Sequence, residues 1–356
     1  MHKKTLTEKN KQEMAKLLDK NFIQEVLNEK LAKFYNNFKS IIEIKEDVYK
    51  RHLGLTSAVF VVGYEIKYLD KNNSSNYLTI FVSAHSDNSR QEAFNKAKFL
   101  YNNGFNKGEL QVTRPLFYLE KQKAFFYEAS EGRSLFNFFT QDPEEDLKHV
   151  FNLAVSWVKK LHQLQKGNFN WPIFKIYKMV PEPQRFLSDF MVDNKKQGQF
   201  IKKLLESMGK IEEKYSEKIE PTLIYGDYHP ENIIIKDLNT KHLKMIDLTD
   251  VSLGDPMVDL GTFLQQFDFM GHKFISRKQM NKYKEYFVTA YFKKNIKDIS
   301  LQHIKRINLY QAWTALRTAV FLFYMKEVEN YVFDLLEDSN KYLQLVKNNK
   351  KELNIY

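Results

Sequence analysis

The sequence predicts an α+β protein with a small β-rich lobe followed by a larger helical lobe. Two runs rich in β-branched and aromatic residues, TSAVFVVGYEIKYLD and YLTIFVSAH, flank the turn-forming segment KNNSSN and indicate a hairpin. Apolar residues at helical spacing dominate from about residue 131 onward. A second short hairpin, NIIIK and HLKMID around DLNT, interrupts this helical part.

The β-rich lobe is expected over residues 47–130. Before it, apolar residues at helical spacing over about 5–45 predict an N-terminal helical extension, which we bound at 1–46. After the first hairpin, SRQEAFNKAKFLYNNGF predicts a helix that stops near Gly104. The segments RPLFYLE and KAFFYEAS predict two more strands, so the lobe has the order β-β-α-β-β.

The helical lobe is expected over residues 131–356. Its clearest helix lies within 142–164, where Pro143 suits the first helical position and apolar residues from Leu147 to Leu161 form one stripe. Further helices are predicted near 183–215, 258–268, 276–293 and 300–347.

Composition excludes several classes of protein. The 356 residues are 43% apolar and 15% aromatic, which is typical of a folded core rather than disorder. The chain has no cysteine, which excludes disulfides, thiol catalysis and cysteine-ligated zinc. There is no membrane-length apolar run, and the first residues do not resemble a secretory signal. We therefore expect a cytoplasmic protein without a membrane partner.

The net charge of +11 allows an anionic partner such as a nucleic acid or a phosphorylated small molecule. Abundant lysine on solvated helix faces explains the same charge. Since the basic residues are dispersed and form no compact block, we expect no nucleic-acid partner.

The segment LIYGDYHPENIII, residues 223–235, crowds three polar side chains ahead of an apolar run. Asp227 lies in a loop, and Asn232 begins the strand run five residues later. The returning strand of the second hairpin ends in Asp247, which we expect beside Asn232. The isoleucines would anchor this ribbon in the core and hold its polar end still.

Carboxylate and carboxamide oxygens suit phosphoryl transfer. Mg²⁺ prefers oxygen ligands and keeps coordination positions for nucleotide phosphates, a role that fits Asn232 and Asp247. A separate carboxylate can orient an acceptor hydroxyl and take its proton, a role that fits Asp227. A purely structural cluster would leave costly polar groups at the edge of a core.

The segment YGDYHPENIIIKD…KMIDLTDVSLGDPMVDLGTF closely resembles the aminoglycoside phosphotransferase and choline kinase-like family. That family has His-Gly-Asp-x-His-x-x-Asn, then Ile-Asp-Phe/Trp, then Gly-Asp-Pro and a later Asp-Leu. The matching residues are Gly226, Asp227, His229, Pro230, Asn232, Ile246, Asp247, Gly254, Asp255, Pro256, Asp259 and Leu260. Looser likeness extends over nearly all of the chain after about residue 45.

The resemblance implies a bilobal protein-kinase-like fold with ATP bound between its lobes. The interlobe hinge near Glu128, Ala129 and Ser130 would face the adenine. Catalytic-loop support would come from Tyr225, His229, Asp255 and Asp259. Each of the last three also has a structural interpretation, with Asp255 as the cap of a helix starting near Pro256 and Asp259 as a buried brace.

The chain departs from the family pattern in two places. Tyr225 stands where the family usually has His. Kinase-like folds usually carry a Lys on the third strand of the small lobe, paired with a Glu on the next helix. Here Ser83 occupies the Lys position and Glu92 is the candidate helix carboxylate, so Arg90, Lys96 or Lys67 would have to compensate.

Other candidate binding residues rest on weaker signals. A nucleotide loop could be formed by HLGLTSAVF, with Gly54, Thr56 and Ser57, although one glycine also fits an ordinary turn. The acceptor site could include residues of the C-terminal helices, Tyr310, Trp313 and Arg317. Their helical spacing equally fits a core stripe.

Two functions of different class follow. The first is an ATP- and magnesium-dependent phosphotransferase that acts on a hydroxyl of a small molecule of the aminoglycoside, amino alcohol or sugar type. The second is a pseudokinase that binds a nucleotide or a protein, favoured by the missing Lys. Retention of Asp227, Asn232 and Asp247 favours the enzyme.

Overall fold

A computed structural model describes residues 6–142, 146–178, 182–325 and 329–356. The chain forms two compact units. The first unit contains the chain up to Glu131 together with the returning segment Lys244–Thr249. The second unit contains Gly132–Leu243 and Asp250–Tyr356. Residues 47–130, the expected β-rich lobe, lie in the first unit, and Lys244–Thr249, expected in the helical lobe, lie there as well.

The first unit is built on an antiparallel sheet of five strands. These strands are β1 Phe38–Leu53, β2 Ala58–Asp70, β3 Ser75–His85, β5 Pro115–Leu119 and β6 Ala124–Glu128. Across the sheet their order is β1-β2-β3-β6-β5. The predicted first hairpin is confirmed as β2 and β3. At its turn Asn73 adopts a φ of 62°, and Asp70 accepts hydrogen bonds from the backbone of Asn72 and Ser74.

The first part of strand β1, from residue 38 to 45, lies where the apolar spacing predicted a helix. Its buried residues Phe38, Ile41 and Ile44 are three apart, a spacing that resembles one helix face. The register of β1 against β2 shifts between Phe38 and Ser40 and again between Ile41 and Glu43. Each irregularity inserts a residue and turns the side-chain alternation, so a strand acquires a period of about three.

The N-terminal helices cover one face of this sheet. Helix α1 spans Glu8–Ala15 and helix α2 spans Lys20–Leu31. Leu17 and Leu27 are buried in one core with Phe60, Val62 and Phe126 of the sheet. The helical segment therefore ends at Leu31, well before residue 46, and it is part of the first unit instead of a separate extension.

Helix α3, Ser89–Leu100, packs on side chains of the same unit. Phe94 contacts Tyr118 and Phe125 at ring distances of 6.3 and 5.5 Å. The short strand β4, Leu110–Val112, pairs with β10, Leu243–Met245. Beside that pair, the Thr113 amide donates to the Met245 carbonyl at 3.1 Å, which holds the returning segment in the first unit.

The second unit is mostly helical. Its helices are α4 Leu135–Gln141, α5 Lys148–His162, α6 Pro183–Asp193, α7 Lys195–Ser216, α8 Met257–Gly271, α9 Arg277–Phe292, α10 Leu301–Met325 and α11 Glu329–Lys347. The predicted stripe of α5 is buried, while its predicted start at Pro143 lies outside the described residues. The predicted helices 183–215 and 300–347 are each two helices.

Short strands complete the second unit. β7, Arg133–Ser134, pairs with β9, Ile233–Ile235, and β8, Thr222–Ile224, pairs antiparallel with β11, Ser252–Gly254. Strands β9 and β10 lie at the positions that the second hairpin predicted. No helix in the described part of the chain is both long and apolar enough to cross a bilayer.

Helices α8 and α10 approach closely at the centre of the second unit. A Cβ on Gly261 of α8 would lie 2.7 Å from the Ile307 carbonyl oxygen of α10. Glycine therefore permits this packing. The contact sets the distance between α8, which carries Asp259, and α10, which carries Arg317.

Candidate active site

The loop after β8 contains the polar cluster that the sequence singled out. Gly226 adopts a φ of 83°, and a Cβ there would lie 2.6 Å from the Asp250 carbonyl oxygen. Both the left-handed backbone and the close approach require glycine. The chain therefore turns sharply at Gly226, immediately before Asp227.

Asp259 anchors this loop from α8. Its side chain is 0% exposed, and its two oxygens accept the amides of Tyr225 and Gly226, each at 2.8 Å. Oδ2 also lies 2.9 Å from Nε2 of His162, at the end of α5. His162 in turn contacts the Tyr291 hydroxyl through Nδ1 at 2.9 Å. Asp259 therefore holds the backbone immediately before Asp227 in place.

Asp227 is held between a guanidinium and an imidazole. Arg317 Nη1 donates to Oδ1 at 2.8 Å, and His229 Nε2 lies 3.6 Å from Oδ2. The Asp227 side chain remains 27% exposed. Burial raises the pKa of the Asp227 carboxyl, but Arg317 and His229 outweigh that effect and hold its pKa well below the ordinary value. The carboxylate is therefore ionised at neutral pH.

Arg317 links two carboxylates. Its second nitrogen, Nη2, donates to Asp250 Oδ2 at 3.3 Å, and its guanidinium lies 5.5 Å from the centre of the Trp313 ring. Burial lowers the pKa of the guanidinium, but Asp227 and Asp250 raise it above the ordinary value. Arg317 therefore remains charged and fixes the orientation of Asp227.

Asn232 and His229 form the other side of the loop. The Asn232 carboxamide nitrogen donates to the Asp227 carbonyl at 3.2 Å and contacts His229 Nε2 at 3.0 Å. Since the nitrogen makes both contacts, the carboxamide oxygen is the atom that could bind a cation. Burial lowers the pKa of His229, but the Asp227 carboxylate, 3.6 Å from Nε2, raises the pKa above the ordinary value. His229 Nε2 therefore lies next to both Asp227 and Asn232.

Tyr225 and Asp255 contact other parts of the second unit through ring packing and hydrogen bonds, respectively. The buried Tyr225 ring packs against Trp157 and Tyr228, at ring distances of 5.7 and 5.6 Å. Asp255 accepts the Met257 amide at the start of α8 and an Arg306 N–H, both at 3.0 Å. Burial raises the pKa of the Asp255 carboxyl despite Arg306. Asp255 therefore caps α8, as its position before Pro256 suggested.

Asp247 belongs to the first unit. Its φ is 48°, in the left-handed region that residues with side chains seldom adopt. Its side chain is 53% exposed and accepts the Thr249 hydroxyl at 2.5 Å, while Arg90 Nη1 lies 3.9 Å away. An exposed carboxylate on a constrained backbone can bind a metal ion.

The predicted acceptor residues separate into two groups. Tyr310 and Trp313 are buried, and their rings pack on Phe174 at 6.0 and 5.0 Å. The Trp313 indole donates to the Ile176 carbonyl at 3.2 Å. These two side chains form core, as their helical spacing allowed, whereas Arg317 reaches Asp227.

The predicted nucleotide residues lie in several parts of the first unit. In the turn between β1 and β2 the Gly54 amide donates to the Ser57 carbonyl at 2.8 Å, and Thr56 is exposed in the same turn. Ser83 lies on β3, opposite Val61 and Phe125. Glu92 is exposed on α3.

The predicted hinge has backbone bonds of its own. The Glu128 amide donates to the Arg114 carbonyl and the Ala129 amide to the Thr79 carbonyl, each at 3.0 Å. The Glu128 carboxylate accepts the Tyr35 hydroxyl at 2.7 Å. Ser130 Oγ is buried and makes no hydrogen bond to the described residues, so it is the hinge group with unused bonding capacity.

Solved structures with a similar fold are small-molecule kinases. A choline kinase, LicA from Streptococcus pneumoniae, has a TM-score of 0.54 and 12% identity, over 90% of this chain and 99% of that one. An ethanolamine kinase of Plasmodium vivax has a TM-score of 0.53 and 12% identity, over 86% and 83%. The streptomycin–ATP complex of APH(2")-IIa has a TM-score of 0.51 and 12% identity, over 91% and 97%.

This chain therefore has the kinase-like phosphotransferase fold. The chain belongs to the phosphotransferase enzyme family, since the model of that family matches residues 64–292, more than half of the chain. No curated protein matches its sequence. The matched range contains Asp227, Asn232 and Asp247, which the sequence analysis singled out.

Proposed function

We propose that the chain is an ATP- and magnesium-dependent phosphotransferase that moves the γ-phosphate to a hydroxyl of a small molecule. The observation that carries this proposal is the setting of Asp227, an ionised carboxylate on a loop that Asp259 fixes and Arg317 orients. The proposal includes a cytoplasmic location, where ATP is available.

Asp227 would accept a hydrogen bond from the acceptor hydroxyl and turn its oxygen toward the γ-phosphorus. A bond forms between that oxygen and phosphorus while the bond from phosphorus to the β,γ-bridging oxygen breaks. The hydroxyl proton passes to Asp227, and ADP leaves with the bridging oxygen. Since the pKa of Asp227 is low, its main effect is orientation, and proton transfer follows as the new ester bond forms.

Magnesium would be held by the Asn232 carboxamide oxygen and the Asp247 carboxylate. Both are hard oxygen donors, the ligand type that Mg²⁺ prefers, and two protein ligands leave positions for phosphates. When bound, the ion would neutralise charge on the phosphates. The chain's own part is to orient the two side chains: Thr249 donates to the Asp247 carboxylate, and Asn232 donates through its nitrogen to the Asp227 carbonyl.

The acceptor belongs to the small alcohols. The similar structures are kinases of choline, ethanolamine and aminoglycosides, so these compounds are the first acceptors to test. A second candidate function is a nucleotide-binding module that transfers no phosphate. It is favoured by Ser83 at the usual Lys position and by the exposed Glu92.

The test is ADP release from ATP and magnesium with a panel of these alcohols. We expect one or more acceptors to stimulate release by the wild type. Because a positioned base contributes about 10²–10⁴-fold, Asp227→Asn should lose at least about 10²-fold of that rate. Asp193→Asn, an exposed aspartate of α6, is the matched control and should retain it. Equal rates in wild type and Asp227→Asn would overturn the proposal.

A further inference from the structure

The strand that usually carries the phosphate-binding lysine has none in this chain. Ser83 occupies that place on β3, and the described positions of β3 from Ser75 to His85 include no Lys or Arg. The helix carboxylate that would pair with such a lysine is Glu92, whose side chain is exposed. The usual ion pair between a lysine of this strand and a helix carboxylate therefore cannot form in this chain.

Two cations of α3 converge instead on the segment that carries Asp247. Arg90 Nη1 donates to the Thr249 hydroxyl at 2.7 Å, and Lys96 Nζ donates to the Thr249 carbonyl at 2.5 Å. The same Thr249 hydroxyl donates to Asp247. All four residues belong to the first unit, so this cluster is described within one compact body.

The two cations have different roles. Lys96 is buried, and its ammonium bonds to a backbone carbonyl, which is typical of a structural brace. Arg90 is 19% exposed, and its carboxylate neighbour Asp247 lies 3.9 Å away, beyond hydrogen-bond distance. Its Nε makes no hydrogen bond to any described residue. Arg90 thus has donors that the fold does not use.

The position of Arg90 on α3 also disfavours a cation that has no anionic partner. It is the second residue of the helix, where the backbone dipole is positive and disfavours a cation. Its charged neighbour is Asp247, which in the proposed function is shared with magnesium. A guanidinium in such a place is stabilised by an anion with several oxygens.

We infer that Arg90 supplies the contact to the nucleotide phosphates that β3 lacks. The ligand class is a nucleoside di- or triphosphate, with the guanidinium donating to the phosphate oxygens. The cation lies on the first turn of α3 instead of on β3, and its Nη1 lies 3.9 Å from Asp247. This inference rests on the proposed function and deepens it.

The test compares the affinities of ADP and adenosine, measured calorimetrically with magnesium. A charge-assisted hydrogen bond of about 1.5–3 kcal/mol corresponds to roughly a 10- to 100-fold loss of ADP affinity in Arg90→Gln. Adenosine, which has no phosphate, should bind both proteins equally. Lys98→Gln removes an exposed cation from the same helix and should leave ADP affinity unchanged. Adding Ser83→Lys to Arg90→Gln should regain part of the loss.

The outcomes are separable. If the wild type binds neither ADP nor ATP, the proposed function falls and this inference falls with it. If the wild type binds ADP and Arg90→Gln retains the same ratio of ADP to adenosine affinity, the inference alone is overturned. Should Arg90→Gln not fold, Arg90→Lys decides, because it keeps the charge and loses the planar fork. A smaller loss confined to ADP supports the inference, and an unchanged ratio refutes it.

Discussion

Asp259 should be essential for the catalytic loop although we assign it no contact with substrate. Asp259→Asn keeps the size of the side chain but replaces one acceptor oxygen with an NH₂ group. The carboxylate now serves two backbone amides and His162, at 2.8, 2.8 and 2.9 Å, in a site without solvent access. In either orientation of the new carboxamide, its NH₂ group faces a backbone amide N–H, that of Tyr225 or that of Gly226.

The size of the effect follows from these contacts. A hydrogen bond to a charged group contributes about 1.5–3 kcal/mol, and a buried donor left without an acceptor costs about 1–3 kcal/mol. We expect Asp259→Asn to lower the free energy of unfolding by about 3 kcal/mol. The rate of phosphate transfer should also fall, since the backbone before Asp227 loses its anchor.

Urea unfolding followed by circular dichroism measures the first effect, and ADP release measures the second. Asp193→Asn makes the same chemical change at an exposed site of α6 and should stay within about 0.5 kcal/mol of wild type. An Asp259→Asn protein as stable as this control would show that Asp259 does not brace the loop. Wild-type turnover in a destabilised variant would show that the brace does not position Asp227.

Three further outcomes are expected. Burial raises the pKa of Glu212 to about 7 from an ordinary 4.5, so the folded state holds this proton more tightly, and the resulting stability is lost as pH rises to 7. Glu212→Gln should therefore gain up to about 3 kcal/mol on the wild type between pH 4 and pH 8, and thermal melts showing a constant difference would refute this. Arg317→Gln removes the charge that keeps the pKa of Asp227 low, so the acid limb of the kcat/KM profile should move to higher pH, and an unmoved limb would count against the pair. Gly226→Ala should destabilise the fold by more than Gly108→Ala in urea titrations, because both have a positive φ but only the Cβ at 226 would meet a backbone oxygen at 2.6 Å, and equal losses would rule out the clash.

Local pattern was sufficient for much of the fold. The hairpin of β2 and β3 was predictable because β-branched and aromatic runs flank a polar turn, and α5 because its apolar residues repeat at helical spacing. Strand β1 was not, because bulges give Phe38, Ile41 and Ile44 a spacing of three. A periodicity argument assumes regular geometry and fails where the strand is irregular.

Some residues of the candidate site were predictable from the sequence and others were not. Asp227, Asn232 and Asp247 stand out because motif spacing lies within one stretch of sequence. The partners that orient Asp227 come from distant segments, with Arg317 90 residues away on α10. His162 is 97 residues before Asp259, and nothing in its local sequence distinguishes it from other helix residues. Such pairs are set by tertiary packing, which a single sequence does not reveal.

A thermal melt with and without ATP and magnesium, on the wild type and on Asp247→Asn, tests the proposed enzyme most directly. At about 100 times its dissociation constant, a ligand of the folded state adds roughly 2.7 kcal/mol of stability. We expect a magnesium-dependent rise in Tm for the wild type and its loss in Asp247→Asn, since this carboxylate would hold the ion. No rise in either protein would mean that the chain has no working nucleotide site, and the phosphotransferase assignment of this member of the family would be wrong.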